Sequence, residues 1–173
     1  MRKGSYFTIC LLSVALVLAS CRDEDDAPAP EEGVEITMTF PDDWDNTNRF
    51  GDPVVLVGTS PPELGTDTFR ENVNVVTEEA PDATLSSYYD ATLEALNDFQ
   101  NFTVLSTQDT ILNGYRAKKV IFTAESNQTT LQFMDYILHE KETGIIVTCT
   151  ALEESFARYE ATFNQIVGTI QVK

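Results

Sequence analysis

The chain is short of the residues that most often carry chemistry. Its 173 residues include one histidine, three cysteines and one tryptophan. His139 is therefore the one imidazole available to activate any serine or cysteine nucleophile. A histidine-rich zinc site is excluded, and a thiolate site is equally out of reach. There is no phosphate-binding loop and no dinucleotide fingerprint. Positive charge is also scarce, with 11 Lys and Arg against 28 Asp and Glu and a net charge of −17. Such a chain cannot neutralise phosphates along a duplex, which excludes nucleic acid as a partner. Anionic membrane surfaces repel it as well. What is not lacking is apolar material: at 42% it suffices for a packed core in one domain of ordinary size.

The longest apolar run, Tyr6 to Leu18, follows a basic start at Arg2 and Lys3 and is broken only by Thr8 and Ser13. It falls short of the ~20 residues that cross a bilayer and has the form of a secretory signal. Its end, Leu18-Ala19-Ser20-Cys21, resembles the bacterial lipobox. That resemblance implies a signal peptide over residues 1–20, cleavage before Cys21, and lipid on the cysteine sulfur and on the new amine. Two or more acyl chains hold a protein stably at a membrane, so membrane lipid, reached through acylated Cys21, is the first expected partner. Removing residues 1–20 takes away Arg2 and Lys3. Nine of the 11 basic residues then face all 28 acids, a side-chain charge of −19. Cys10 leaves with the signal, so Cys149 has no disulfide partner and reads as a small apolar strand residue.

Residues 21–33 form an acidic, proline-containing linker. Asp23-Glu24-Asp25-Asp26 resembles the surface-export tag of some Gram-negative lipoproteins. Arg22, in place of Asp, lacks the usual inner-membrane retention signal. The expected location is the cell envelope, at the outer membrane, with display at the surface preferred over a periplasm-facing position.

A single domain is expected over residues 34–173. Val34, Ile36, Met38 and Phe40 alternate with polar residues as in a half-buried strand. Short strands follow at Val54–Val57 and Phe69–Thr77. Leu85, Tyr89, Thr92/Leu93, Leu96 and Phe99 recur at helical spacing, with Asp82 or Thr84 as cap. Strands are then expected at Phe102–Ser106, Arg116–Ala124, Thr130–His139 and Ile145–Leu152. Asn113-Gly114 and Glu142-Thr143-Gly144 supply the turns. The last two strands are apolar on both faces, which calls for a cover on each side. A closing helix through Phe156, Tyr159, Phe163, Ile166/Val167 and Ile170, opened by Ser155 or Glu153, provides one. The class is α+β with a mainly antiparallel sheet.

This order, with the runs Phe69-Arg70-Glu71-Asn72-Val73-Asn74-Val75 and Ile111-Leu112-Asn113-Gly114-Tyr115-Arg116-Ala117-Lys118-Lys119-Val120 and the pair Tyr88-Tyr89, resembles the PsbP-like superfamily, which takes in Mog-like and DcrB-like proteins. The resemblance covers about Val34 to Val172. It implies an antiparallel sheet sandwiched between helices (α/β/α) and a binding or assembly role, and it supplies no active site.

Asp42-Asp43-Trp44-Asp45-Asn46-Thr47-Asn48 is the densest cluster of oxygen ligands and reads as a polar loop. Asp43, Asp45 and Thr47 alternate in a way that suits a hard cation such as calcium. The loop departs from the helix-loop-helix calcium pattern, with Asn48 in place of glycine and Val54 in place of glutamate. Trp44 is the candidate partner contact, unless it folds back to cover the sheet. His139 is expected exposed at a strand end. Arg116, Lys118 and Lys119 are expected to form ion pairs on one strand, and Asp109-Thr110-Ile111 resembles a short bacterial O-glycosylation acceptor. These features point to a membrane-anchored, non-catalytic binding module acting on an unidentified envelope or surface protein, with no cofactor. The alternative is a small-ligand binder, or less favoured a hydrolase, with a pocket between sheet and helix.

Overall fold

The computed structural model describes residues 34–51, 53–63 and 69–173, with side chains given outside 48–51. The signal, Cys21 and the acidic linker lie outside the described residues. Val34–Lys173 is one compact unit. In chain order it comprises β1 (Ile36–Thr37), β2 (Asp45–Gly51), β3 (Val54–Thr59), β4 (Asn72–Glu79), α1 (Leu85–Leu96), β5 (Thr103–Leu112), β6 (Tyr115–Ser126), β7 (Thr129–Glu140), β8 (Thr143–Leu152), α2 (Phe156–Val167) and β9 (Gln171–Val172). Seven strands make one antiparallel sheet in the order β2-β3-β4-β8-β7-β6-β5, while β1 pairs with β9. The expected α+β class and sandwich arrangement hold.

Period-two alternation sends side chains to opposite faces, and here both faces are apolar. Val120, Phe122, Ala124, Leu131, Phe133, Ile137 and Ile146 meet Tyr88 and Leu96 of α1. Met134, Tyr136, Leu138, Ile145, Val147 and Cys149 meet Phe163, Ile166 and Val167 of α2. Each such side chain contributes roughly 1.5–3 kcal/mol when fully buried, so each helix is held mainly by the face it covers.

Thr84 is the N-cap of α1. Its hydroxyl accepts from the Ser87 amide and the Ser87 hydroxyl accepts from the Thr84 amide, so two otherwise orphaned donors are satisfied. The buried stripe is Tyr88, Thr92 and Leu96. Leu85, Tyr89 and Leu93 flank it half-buried, so the expected helix is present, with Thr92 and Leu96 buried as expected and Tyr88 in place of Tyr89.

Other expectations shift. Only Ile36 and Thr37 of the first alternating run pair as strand, although Val34, Met38 and Phe40 still pack on the core. Residues 45–51, expected as loop, are the edge strand β2. The closing helix ends at Val167, and Ile170 lies beyond it, buried, just before β9.

The turns hold the clearest correction. Asn113-Gly114 turns with φ of 45° and 92°, as expected. The β7–β8 turn is instead Lys141-Glu142, at φ 49° and 63°, and the β6–β7 turn is Asn127-Gln128, at φ 51° and 67°. Two hairpins thus adopt the mirror-image turn without glycine, at some backbone cost. Gly144 sits inside β8, where a Cβ would come within 2.3 Å of the Tyr88 ring. The glycine is required by the seat of α1, not by the turn.

Gly144→Ala should push Tyr88 off the sheet and lower stability by about 2–3 kcal/mol, read as an earlier denaturant midpoint with an unchanged slope. A loss no greater than that of an exposed Ala→Gly control would contradict this packing account.

Candidate functional site

The two sheet edges are unlike. At one lies β2, with the polar sequence Asp45-Asn46-Thr47-Asn48-Arg49-Phe50-Gly51. At the other lies β5, ten residues long and exposed along nearly its whole length. One side of its backbone pairs with β6 from Thr103 to Leu112, with a bulge between Val104 and Ser106. No described strand occupies the other side. Val104 (42%), Leu105 (53%) and Ile111 (69%) are the exposed large hydrophobic residues of the described chain, and all three belong to β5.

Charge at this edge runs against the acidity of the molecule. Asp109, the one charged residue of β5, pairs at 2.6 Å with Lys118 on β6, and the Lys118 ammonium lies over the Tyr89 ring. Arg116 is exposed, sits across from Ile111 and forms no ion pair with a described residue. Lys119 points to the other face, over the Tyr136 ring. The expected ion-pairing strand is thus realised at Lys118 alone. Where β5 meets α1, Tyr89, Thr107, Gln108, Asp109 and Lys118 line a shallow, open depression of about 230 Å³. That is below the ~300 Å³ at which ligand pockets begin.

Two buried carboxyl groups escaped the sequence reading. Glu71 is fully buried. It accepts from the Ser155 hydroxyl at 2.7 Å and the Ser60 hydroxyl at 3.1 Å, which ties the residues before β4 to the start of α2. Ser155 occupies the N-cap position but spends its side chain on Glu71 instead of capping the helix. Nearby, Tyr159 donates to Glu63 at 2.6 Å, and Arg158 pairs with the same carboxylate at 3.3 Å. The tyrosine hydrogen bond is the leading reason that Glu63 is held below the usual carboxylate range.

Asp135, on the α1 face of β7, is buried and has one carboxyl oxygen with no hydrogen-bond partner. Burial pushes it up to about 7, opposed in part by a hydrogen bond from the Thr148 side chain. Burial also pushes the Cys149 thiol well above its ordinary range, with the Asp135 charge adding to the effect. Cys149 is fully enclosed in the core, so it is no nucleophile at neutral pH.

The sequence candidates fall as follows. Trp44 is buried, stacked on Phe40 and edge-on to Phe163. It folds back over the core, the second of the two readings its sequence allowed, so Trp44 is not available as a partner contact. Asp43 lies in the turn before β2, while Asp45 and Thr47 are strung along an extended strand. Asp45 is taken by Arg70 at 2.6 Å, so the three oxygens do not converge as a cation site requires. His139 is half-buried, its Nε2 2.9 Å from the Ala80 carbonyl and its ring against Tyr88, because the segment leading into α1 crosses the strand end expected to be open. Thr110 lies half-buried within β5.

No protein-family model matches the chain, and no curated protein matches it. Solved structures do. LpqN of Mycobacterium tuberculosis, described as involved in cell envelope biogenesis, superposes with a TM-score of 0.64 at 13% identity, over 82% of this chain and 84% of that one. The cyanobacterial PsbP protein CyanoP of Synechocystis gives 0.54 at 12% identity, over 85% and 98%. A Pseudomonas aeruginosa protein of unknown function gives 0.50 at 13% identity, over 79% and 81%. At this identity the likeness establishes a PsbP-like α+β fold.

The buried carboxyl of Asp135 generates a pH test. Unfolded, it titrates near 3.9; folded, at about 7. Below pH 4 both states hold the proton. Between the two values only the folded state holds it, so stability falls as pH rises, by up to about 4 kcal/mol, and levels off above pH 7. Asp135→Asn, which mimics the protonated form, should flatten this fall and be the more stable protein at pH 8. Denaturant melts from pH 4 to 8 decide it, and parallel curves for the two proteins would refute the assignment.

Proposed function

We propose that this protein is a non-catalytic interaction module of the cell envelope, held to the outer membrane by lipid on Cys21 and docking another protein through the exposed edge of its sheet. The observation that carries the reading is the concentration of exposed large apolar residues on one edge strand. Exposed apolar clusters mark contact surfaces, and here the cluster adjoins backbone that no described strand pairs. Among the described residues no group of three or more His, Cys, Asp and Glu is placed to hold a metal, and the depression beside α1 is small and open. A role in binding fits this better than a reaction centre does. The structural likeness to LpqN, a protein involved in cell envelope biogenesis, agrees with an envelope role. No described helix is long and apolar enough to cross a membrane; in this reading lipid on Cys21 supplies the anchor. The acidic run Asp23–Asp26 supports display at the surface.

Two measurements test the reading. Cys21→Ala should move the protein from the detergent phase to the aqueous phase on Triton X-114 partition, and a variant that still partitions with detergent would end the lipoprotein claim. Protease added to intact cells should digest the domain while a periplasmic control survives. Protection until the outer membrane is opened would turn the domain toward the periplasm instead.

A further inference from the structure

Resting on the reading of the domain as an interaction module, we propose that β5 is a strand-addition site: an extended segment of another polypeptide, apolar where it faces Val104 and carrying a carboxylate where it faces Ile111, pairs with the edge that no described strand occupies.

The backbone supplies the first argument. With β6 the one described strand beside β5, alternate N–H and C=O groups of Thr103–Leu112 face outward, a ready template for another strand. Exposed edges are normally blunted by lysine, proline, shortness or a bulge. Here β5 contains no lysine and no proline, runs for ten residues, and has a single irregularity near Leu105.

The side chains supply the second argument, which concerns the occupant. On the α1 side, Val104 pairs with Phe122 and Ile111 with Arg116. An added strand would set an apolar residue against Val104, where a cross-strand apolar pair contributes. A residue opposite Ile111 lies two strand spacings, about 10 Å, from Arg116, within joint reach of an arginine and a glutamate side chain. Arg116 has no carboxylate of its own among the described residues, and Asp109 is already matched by Lys118. The edge is therefore a local positive spot on a molecule of net charge −17. A carboxylate-bearing segment suits it. A second copy of the chain suits it poorly, because it would bring the same excess of negative charge and another arginine where an acid is wanted.

The test uses the full chain in detergent micelles and two synthetic decapeptides, one of Val, Ile and Thr with a single Glu near one end, the other with Lys in place of that Glu. Hydrogen–deuterium exchange is read residue by residue. The Glu peptide should slow exchange of outward amides between Thr103 and Leu112 by about tenfold, the effect of ~1.4 kcal/mol, and leave β2 unchanged. Arg116→Glu should reverse the preference between the peptides, Arg116→Gln should abolish it, and Ile111→Asp should weaken both peptides.

Protection of β5 by neither peptide, equal protection of β2, or a wild-type preference for the Lys peptide would overturn the proposal. So would β5 amides protected without peptide in a concentration-dependent way, which would identify a second copy as the occupant. If the peptides leave β5 unprotected while a photocrosslinker placed at Gln165 on α2 captures a protein in cells, strand addition falls and the module reading stands.

Discussion

The structure depends on a sheet that must be covered twice. β7 and β8 carry apolar residues on both faces, and neither face can be left to water. One helix is seated on each side, and the seats are made differently. α2 lies on a smooth apolar floor of Val147, Cys149 and Met134. α1 descends onto a glycine, with the Tyr88 ring resting where a Cβ would be and its hydroxyl donating to Glu78. Burial and this bond to a carboxylate raise the Tyr88 phenol above its ordinary range. With both faces closed, the edges are what the sheet has left to offer, and only β5 offers a long one.

Two carboxyl groups inside the protein show what closure costs. A buried carboxyl group is tolerable when hydrogen-bond partners surround it. Glu71 has them: Ser60 and Ser155, from segments far apart in sequence, converge on its two oxygens. Asp135 has one donor, Thr148, and one bare oxygen. The first group acts as a clasp between loop and helix. The second behaves as an acid that prefers its proton.

The parts legible from sequence were those governed by periodicity. The apolar doubling of 130–139 and 145–152, the helical stripes of α1 and α2, and Asn113-Gly114 as a turn are local signals. What was not legible depends on partners distant in sequence. Residues 45–51 are polar and carry no alternation, yet they pair because β3 presents an edge to them. Gly144 looked like punctuation, and only the approach of Tyr88 shows its purpose. Trp44 gave no sign of whether it would face water or Phe163. Asn127-Gln128 and Lys141-Glu142 turn without the usual residues because the long strands on either side leave the backbone no other route. The exposed edge was equally hidden: Val104 and Ile111 resemble ordinary core residues until strand order places β5 last.

The ends of the domain meet. Glu35 and Lys173 exchange backbone hydrogen bonds, and the Tyr115 hydroxyl bonds to Val172 beside them. The Asn113 side chain donates to the Ile170 carbonyl at the same place. The chain thus closes almost into a ring whose clasp sits at the β5–β6 turn. A reporter fused to Lys173 would stand next to Glu35, so an antibody against such a fusion would sense the end of the domain where its two termini meet. A reporter meant to sense the opposite end of the sheet belongs in the Asn127-Gln128 turn, at the far end of the β6–β7 hairpin.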